Sequence, residues 1–237
     1  MSEVAVYAIV IKGNKISETG YQKLSESSRG VGNEFHINLF DAVTPPLVDE
    51  LMGTYNIRWN WPDSGTIHDK STGLRKHAYG GPPKQRYACA LSHFLLWELS
   101  AYLDVPILIL EHDAIFIKAI DLPRLVESDF GCIGINSPIN ATRLATKFDA
   151  IVKRNKDEYV IPVPTIDVET IPQGLAGGSA YLIKPKMAEM AIEAVQTLGL
   201  WPNDAILCKQ VFPNMLGVTT TYYTKTQGLQ STTFRAL

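Results

Sequence analysis

Glu111 and Asp113 lie either side of His112, directly after the most hydrophobic run of the chain, Val105-Pro106-Ile107-Leu108-Ile109-Leu110. Two acids two residues apart point the same way on an extended segment and separate as the strand ends. One can then reach a divalent cation while the other reaches a ribose or a bound water. Such a pair suits a nucleoside diphosphate, because Mg²⁺ or Mn²⁺ held by one or two carboxylates neutralises phosphate charge. The imidazole of His112 is a further contact for phosphate or metal. The plainer use of these acids is as helix caps or salt-bridge partners.

Other chemistry-bearing residues are scattered. Ser92 and His93 are neighbours, and adjacent residues of a helix do not face each other, so they make no nucleophile–base dyad. His93 is then either a satisfied helix histidine or a nucleotide contact. Asp204 can act as a general base, or cap a helix over 205–211. Gly174, Gly177 and Gly178 allow close backbone approach to a ligand, or serve a turn before a strand. Residues 74–86 carry Arg75, Lys76, His77, Lys84 and Arg86. Such a run is usually a solvated surface loop, and otherwise a grip for an anionic acceptor.

The elements that must position these residues follow from apolar runs and breakers. Residues 4–11 read as a buried strand and 17–27 as a helix. Residues 35–40 read as a second strand, followed by Asp41, Ala42 and Val43. The apolar run before Glu111 is continuous, as in a strand covered on both faces inside a parallel sheet. Ligands of open α/β sheets bind beyond the carboxyl ends of the strands. Glu111 and Asp113 fall there, and the ends of the first two strands (Ile9, Val10, Ile11, Asp41, Ala42) are expected to line a nucleotide-base pocket. Pro45-Pro46 ends regular structure or starts a helix. Residues 59–83, rich in Gly, Pro, Asp, Ser and Lys, read as a long surface loop. A helix is expected over 88–102, with Leu91, Phe94, Leu95, Leu99 and Tyr102 on one face. Further on come strands over 130–135, 179–183 and 218–223, helices over 140–158 and 186–198, and an irregular extended stretch over 160–172.

The chain has 237 residues, 46% of them hydrophobic, with a formal net charge of -2. One α/β domain spanning 1–237 is expected, and no global charge draws it to nucleic acid or an anionic membrane. Cys89, Cys132 and Cys208 are an odd number in apolar contexts and read as free buried thiols in a reducing compartment. No signal core and no membrane-length apolar stretch stand out, so a cytoplasmic protein without an integral membrane segment is expected.

Several ordered segments resemble glycosyltransferase family 25, the lipooligosaccharide-type galactosyl- and glucosyltransferases. Tyr87-Ala88-Cys89-Ala90-Leu91-Ser92-His93, then Leu96-Trp97-Glu98, resembles its Gly-Cys-x-x-Ser-His…Trp helix. Residues 107–116 (ILILEHDAIF) resemble its Leu-Glu-Asp-Asp strand end. Residues 174–183 (GLAGGSAYLI) resemble its glycine-rich segment, Trp201-Pro202-Asn203-Asp204 its Pro-x-Asp motif, and Gln230-Ser231-Thr232 its terminal segment. The chain departs from the pattern at His112, where the family has Asp, and at Arg86, where it has an acid.

The resemblance implies a GT-A fold: a Rossmann-like domain whose mixed, mainly parallel central sheet is flanked by helices. It implies a UDP-sugar donor, a hydroxyl acceptor such as a lipooligosaccharide or other glycan, and an inverting mechanism. Asp113 and Glu111 would then hold Mn²⁺ or Mg²⁺. Ser92, His93, Glu111, His112, Gly177 and Gly178 would contact the nucleotide sugar, and Asp204 would be the base. No histidine follows His112, so Asp204, Gln227, water and diphosphate oxygens would complete the metal shell. A second version has the same chemistry on hydroxymethylated DNA bases, with the 75–86 loop on phosphates. From another class, the His112 and Arg86 departures would suit a non-catalytic nucleotide-sugar or carbohydrate-binding relative. A phosphoesterase fits less well, because the His and Asp clusters of a two-metal site are missing.

Overall fold

The computed structural model describes residues 3–175 and 177–229; the Gln230-Ser231-Thr232 segment lies outside them. In chain order the first half contains β1 (Ala5–Val10), α1 (Lys15–Gly30), β2 (Asn38–Asp41), a 3₁₀ turn (Pro45–Leu47) running into α2 (Val48–Thr54), a hairpin of β3 (Thr66–His68) and β4 (Arg75–His77), and α3 (Pro83–Leu103). Then come β5 (Ile107–Glu111), β6 (Ala114–Phe116), α4 (Leu122–Glu127), β7 (Cys132–Gly134), α5 (Ala145–Arg154) and β8 (Val160–Pro162). The chain closes with β9 (Ala180–Ile183), α6 (Pro185–Leu198), α7 (Asn203–Ile206), β10 (Leu216–Thr219) and β11 (Thr224–Thr226).

Seven strands form one mixed sheet in the order β2-β1-β5-β9-β7-β10-β8. β2, β1 and β5 are parallel, β9 runs against both β5 and β7, β10 is parallel to β7, and β8 is antiparallel to β10. Five of the seven strands therefore share one direction, and only β8 and β9 oppose it. β5 sits between β1 and β9, and Ile107, Leu108, Ile109 and Leu110 are all 0% exposed. Alternation divides them. Ile107 and Ile109 pack in the layer that holds Trp97 of α3 and Met187 of α6. Leu108 and Leu110 pack in the other, with Leu24 of α1 and Leu125 of α4. Fully burying each such side chain contributes roughly 1.5–3 kcal/mol, so β5 is a firmly anchored platform for the acids at its end.

α1 is started by Asn14, whose side chain accepts from the Ile16 and Ser17 amides. Its buried face is Ser17, Gly20, Leu24 and Ser28. The small residues let it lie on the turn after β5: a Cβ on Gly20 would come within 2.6 Å of the His112 carbonyl.

Several expectations need correction. Residues 59–83 are not a plain surface loop, because they hold the β3–β4 hairpin and bury Trp61, Leu74 and Lys76. Tyr102 is 86% exposed, so the apolar face of α3 does not extend to it. α5 is shorter than 140–158, beginning only after Leu144, which has a left-handed φ of 62°. α7 stops at Ile206, and no side chain caps it, so Asp204 is not its cap. Among the described residues no helix is long and apolar enough to cross a membrane.

Candidate active site

The carboxyl ends of β1, β2 and β5 meet in register, with Ile9 opposite Glu111 and Val10 opposite Asp41. Beside them lies a narrow pocket of about 60 Å³. Ile9, Ile11, Ala42, Ser92, His93, Glu111 and His112 all line it, as do Cys89 and the Val43-Thr44-Pro45 turn. Two expected wall residues are elsewhere. Val10 alternates to the opposite face and packs with Leu24 and Leu108. Asp41 is exposed at the end of β2 and is not part of the lining.

Ser92 holds this wall together. Its hydroxyl accepts from the Val43 amide at 2.9 Å and donates to the Ala88 carbonyl at 2.9 Å. That staples the turn after β2 onto α3. His93 is 0% exposed, with Nδ1 2.8 Å from the Tyr181 hydroxyl and Nε2 3.2 Å from Glu111 Oε1. The histidine is internally satisfied, and its contact is to an acid of the site.

Glu111 ends β5 with its side chain 25% exposed. Burial pushes its carboxyl up, but the opposing effects, led by the hydrogen bond from His93, outweigh it, and the carboxyl is held below its usual value. Asp113 goes the other way. Burial first, then the charge of Glu111, push it up to about 7, against a hydrogen bond from Ser179. Its Oδ1 is buried without a hydrogen-bond partner. Gln227 clamps the same turn, donating its amide N–H to the Asp113 carbonyl and its Nε2 to the carbonyls of Gly20, His112 and Ala114. Its Oε1 is also buried and unpartnered. An unsatisfied buried polar atom costs about 1–3 kcal/mol. Two orphaned hard oxygens, one of Asp113 and one of the Gln227 that clamps its turn, beside the Glu111 carboxylate are what a hard divalent cation satisfies, so these residues fit Mn²⁺ or Mg²⁺. His112 is less available than the sequence suggests. Burial lowers its pKa, against the charge of Glu111 and a hydrogen bond to the Ile9 backbone.

Across the seam from Glu111 stands Asp204. Burial and the charge of Glu111 push it up to about 6, and a hydrogen bond from the Tyr79 hydroxyl works against that rise. Asp204 and Tyr79 line a second, far larger cleft of about 720 Å³, with Trp61, Arg75, His77 and Gly177 also on its wall. Two glycines close the seam between the cavities. A Cβ on Gly178 would overlap the Asn203 amide and lie 3.7 Å from Glu111 Oε1. One on Gly174 would overlap the Leu207 carbonyl and lie 2.9 Å from that of Asp204. Their lack of a side chain thus serves protein packing around the acids.

The basic run divides in the same way. Lys76 is buried, ion-paired with Asp69, bonded to the Asn60 carbonyl at 2.9 Å, and lies 3.8 Å above the Trp201 ring. Arg86 pairs with Asp63 at 2.9 Å and donates to the Tyr79 carbonyl, and Lys84 pairs with Asp49. Arg75 and His77 remain on the large cleft. Sequence reasoning missed Tyr79, Tyr181 and Gln227's clamp. Tyr79 sat in a stretch read as surface, and Tyr181 in a run that looked like plain strand.

The family model of glycosyltransferase family 25 (LPS biosynthesis protein) matches residues 31–207. A search of curated proteins finds no match. Among solved structures, the apo form of mouse xyloside xylosyltransferase 1 is similar with a TM-score of 0.43 and 12% identity, over 91% of this chain and 84% of that one. The apo WbbM bifunctional glycosyltransferase gives a TM-score of 0.41 and 12% identity, over 93% of this chain and 38% of that one.

Proposed function

This chain belongs to glycosyltransferase family 25, and we propose that it moves a hexose from a UDP-sugar to a hydroxyl of a glycan acceptor, with inversion at the transferred carbon. The observation that carries the reading is the field of Glu111. Burial first, and then this one carboxylate on the wall of the narrow pocket, raise the pKa of both Asp113 beside it and Asp204 on the large cleft. A donor site and an acceptor site that meet at the same charges are what a direct displacement needs.

The narrow pocket has room for part of a base, against Ile9 and Ala42. The sugar diphosphate would lie outside it, over the acids. Asp113 and Glu111, with Oε1 of Gln227, are the oxygens that would hold Mn²⁺ or Mg²⁺, whose charge offsets that of the departing diphosphate. Asp204 takes the acceptor proton. A carboxyl raised to about 6 is ionised at neutral pH and basic enough to share a proton in the transition state. Tyr79 orients it. The large cleft holds the acceptor, with the aromatic side chains of Trp61 and Tyr79 on its wall. The family's description points to a lipopolysaccharide-type acceptor. A DNA acceptor loses its footing, because Lys76 and Arg86 are spent inside the protein. The test is UDP release from a panel of nucleotide sugars, with and without Mn²⁺. Release from a UDP-hexose that requires the metal is expected. Absence of turnover with every donor, alongside tight nucleotide-sugar binding, would instead establish a binding protein.

A further inference from the structure

We propose that Trp97, Tyr181 and His93 form a one-way hydrogen-bond relay that turns and holds Glu111, which makes Tyr181 and His93 positioning residues of the transfer reaction. The proposal rests on the reading of Glu111 as a member of the donor and cation site.

The direction of the relay follows from donor counting. The indole N–H of Trp97 can only donate, and it gives its hydrogen to the Tyr181 oxygen at 2.8 Å. The Tyr181 hydroxyl has one proton of its own. Its other neighbour is His93 Nδ1 at 2.8 Å. If Nδ1 carried a hydrogen, the Tyr181 proton would be left buried without an acceptor, at about 1–3 kcal/mol. Nδ1 is therefore the acceptor, and in the neutral ring the hydrogen sits on Nε2, which faces Glu111 Oε1 at 3.2 Å. Trp97, Tyr181 and His93 are each 0% exposed, so water does not compete for these bonds.

The fold makes the relay rigid. His93 and Trp97 are four residues apart on α3 and so share a face. Tyr181 stands on β9 opposite Ile109, two residues before Glu111 on the neighbouring strand. The His93 and Tyr181 rings stack at 5.7 Å with planes 17° apart.

The same counting decides a competing use of these residues. Donor atoms of Cys89, His93 and Glu111 lie within 4.8 Å of one another, a spacing that would suit a metal. With the hydrogen on Nε2, the histidine has no lone pair to offer there. The cation is left to the Asp113 side of Glu111, and His93 acts on it only through the carboxylate, as residues behind metal ligands do.

The test is nitrogen-15 NMR of the His93 ring in the metal-free protein, joined to Mn²⁺ affinity measured by loss of the free-ion EPR signal. The relay requires a neutral ring protonated at Nε2. It also requires Tyr181→Phe to weaken Mn²⁺ binding by between about ten- and a hundred-fold while the melting profile stays cooperative. His93→Gln, which keeps an N–H donor, should restore part of the affinity that His93→Leu loses, and it serves if Tyr181→Phe does not fold. A ring protonated at Nδ1, or equal Mn²⁺ affinity in His93→Gln and His93→Leu, would overturn the proposal. Neither readout depends on turnover. A protein that passes both yet releases no UDP keeps the relay and loses the transferase reading.

Discussion

The Lys76 ammonium lies 3.8 Å above the ring of Trp201, three residues before Asp204. It ties the β3–β4 hairpin, through its ion pair with Asp69, to the segment that carries the proposed base. Tyr79, just beyond β4, then reaches Asp204 with its hydroxyl. A buried cation thus packs behind the wall of the large cleft, which Trp61 and Tyr79 line.

Removing one partner of a buried ion pair strands the other. Lys76→Ala should cost about 3–5 kcal/mol, read as a fall in the urea midpoint. Replacing both members, Lys76→Met with Asp69→Leu, should recover most of that loss, because well-packed apolar residues often substitute for a buried pair at little cost. If the double variant is no more stable than Lys76→Ala, the pair is not what holds the hairpin.

The same pair predicts a response to acid. Partial burial raises the Asp69 carboxyl, but hydrogen bonds from Lys76 and Ser71 win and hold it at about 2. Its folded value is below its ordinary one, so its stabilisation is present above about pH 4 and disappears as pH falls toward about 2. The stability gap between wild type and Asp69→Asn should therefore narrow across that window. A gap that stays constant would contradict the assignment.

Asp204 should govern the acid limb of the transfer rate. Turnover is expected to rise as pH climbs through about 6, where this carboxyl loses its proton, and Asp204→Asn should reduce kcat by about 10²–10⁴. Tyr79 donates to the ionised form, so Tyr79→Phe should move the limb to higher pH. A limb that stays put in Tyr79→Phe would break the link between the two residues.

Asp113 carries the opposite sign. Its carboxyl is raised to about 7, so its cost to the metal-free fold is absent below about pH 4 and grows as pH rises toward 7. Without metal, Asp113→Asn should be more stable than wild type at pH 8, and equal to it near pH 4. Adding Mn²⁺ should raise the melting temperature of wild type and leave the variant unmoved.

How much of this was legible in the sequence depended on where burial came from. β5 announced itself because a strand covered on both faces is apolar at every position, and the acids stood out by ending that run. Alternation could also have separated Val10 from Ile9 and Ile11, since neighbours on a strand face opposite layers. Residues 59–83 gave no such signal, because what they bury includes Lys76, whose ammonium settles over Trp201, far along the chain. The spacing of His93 and Trp97 was visible, yet Tyr181 joins them only when β9 is inserted antiparallel between β5 and β7. Gly178 and Gly174 read as a turn or a ligand cradle, and their close neighbours turned out to be Asn203 and Leu207.

The most direct test of the account is UDP-hexose turnover by Asp113→Asn, measured with saturating Mn²⁺ beside wild type. Substitution of one oxygen should abolish transfer while leaving the fold intact. Turnover near that of wild type would contradict the central claim that the acids after β5 hold the cation on which departure of the diphosphate depends.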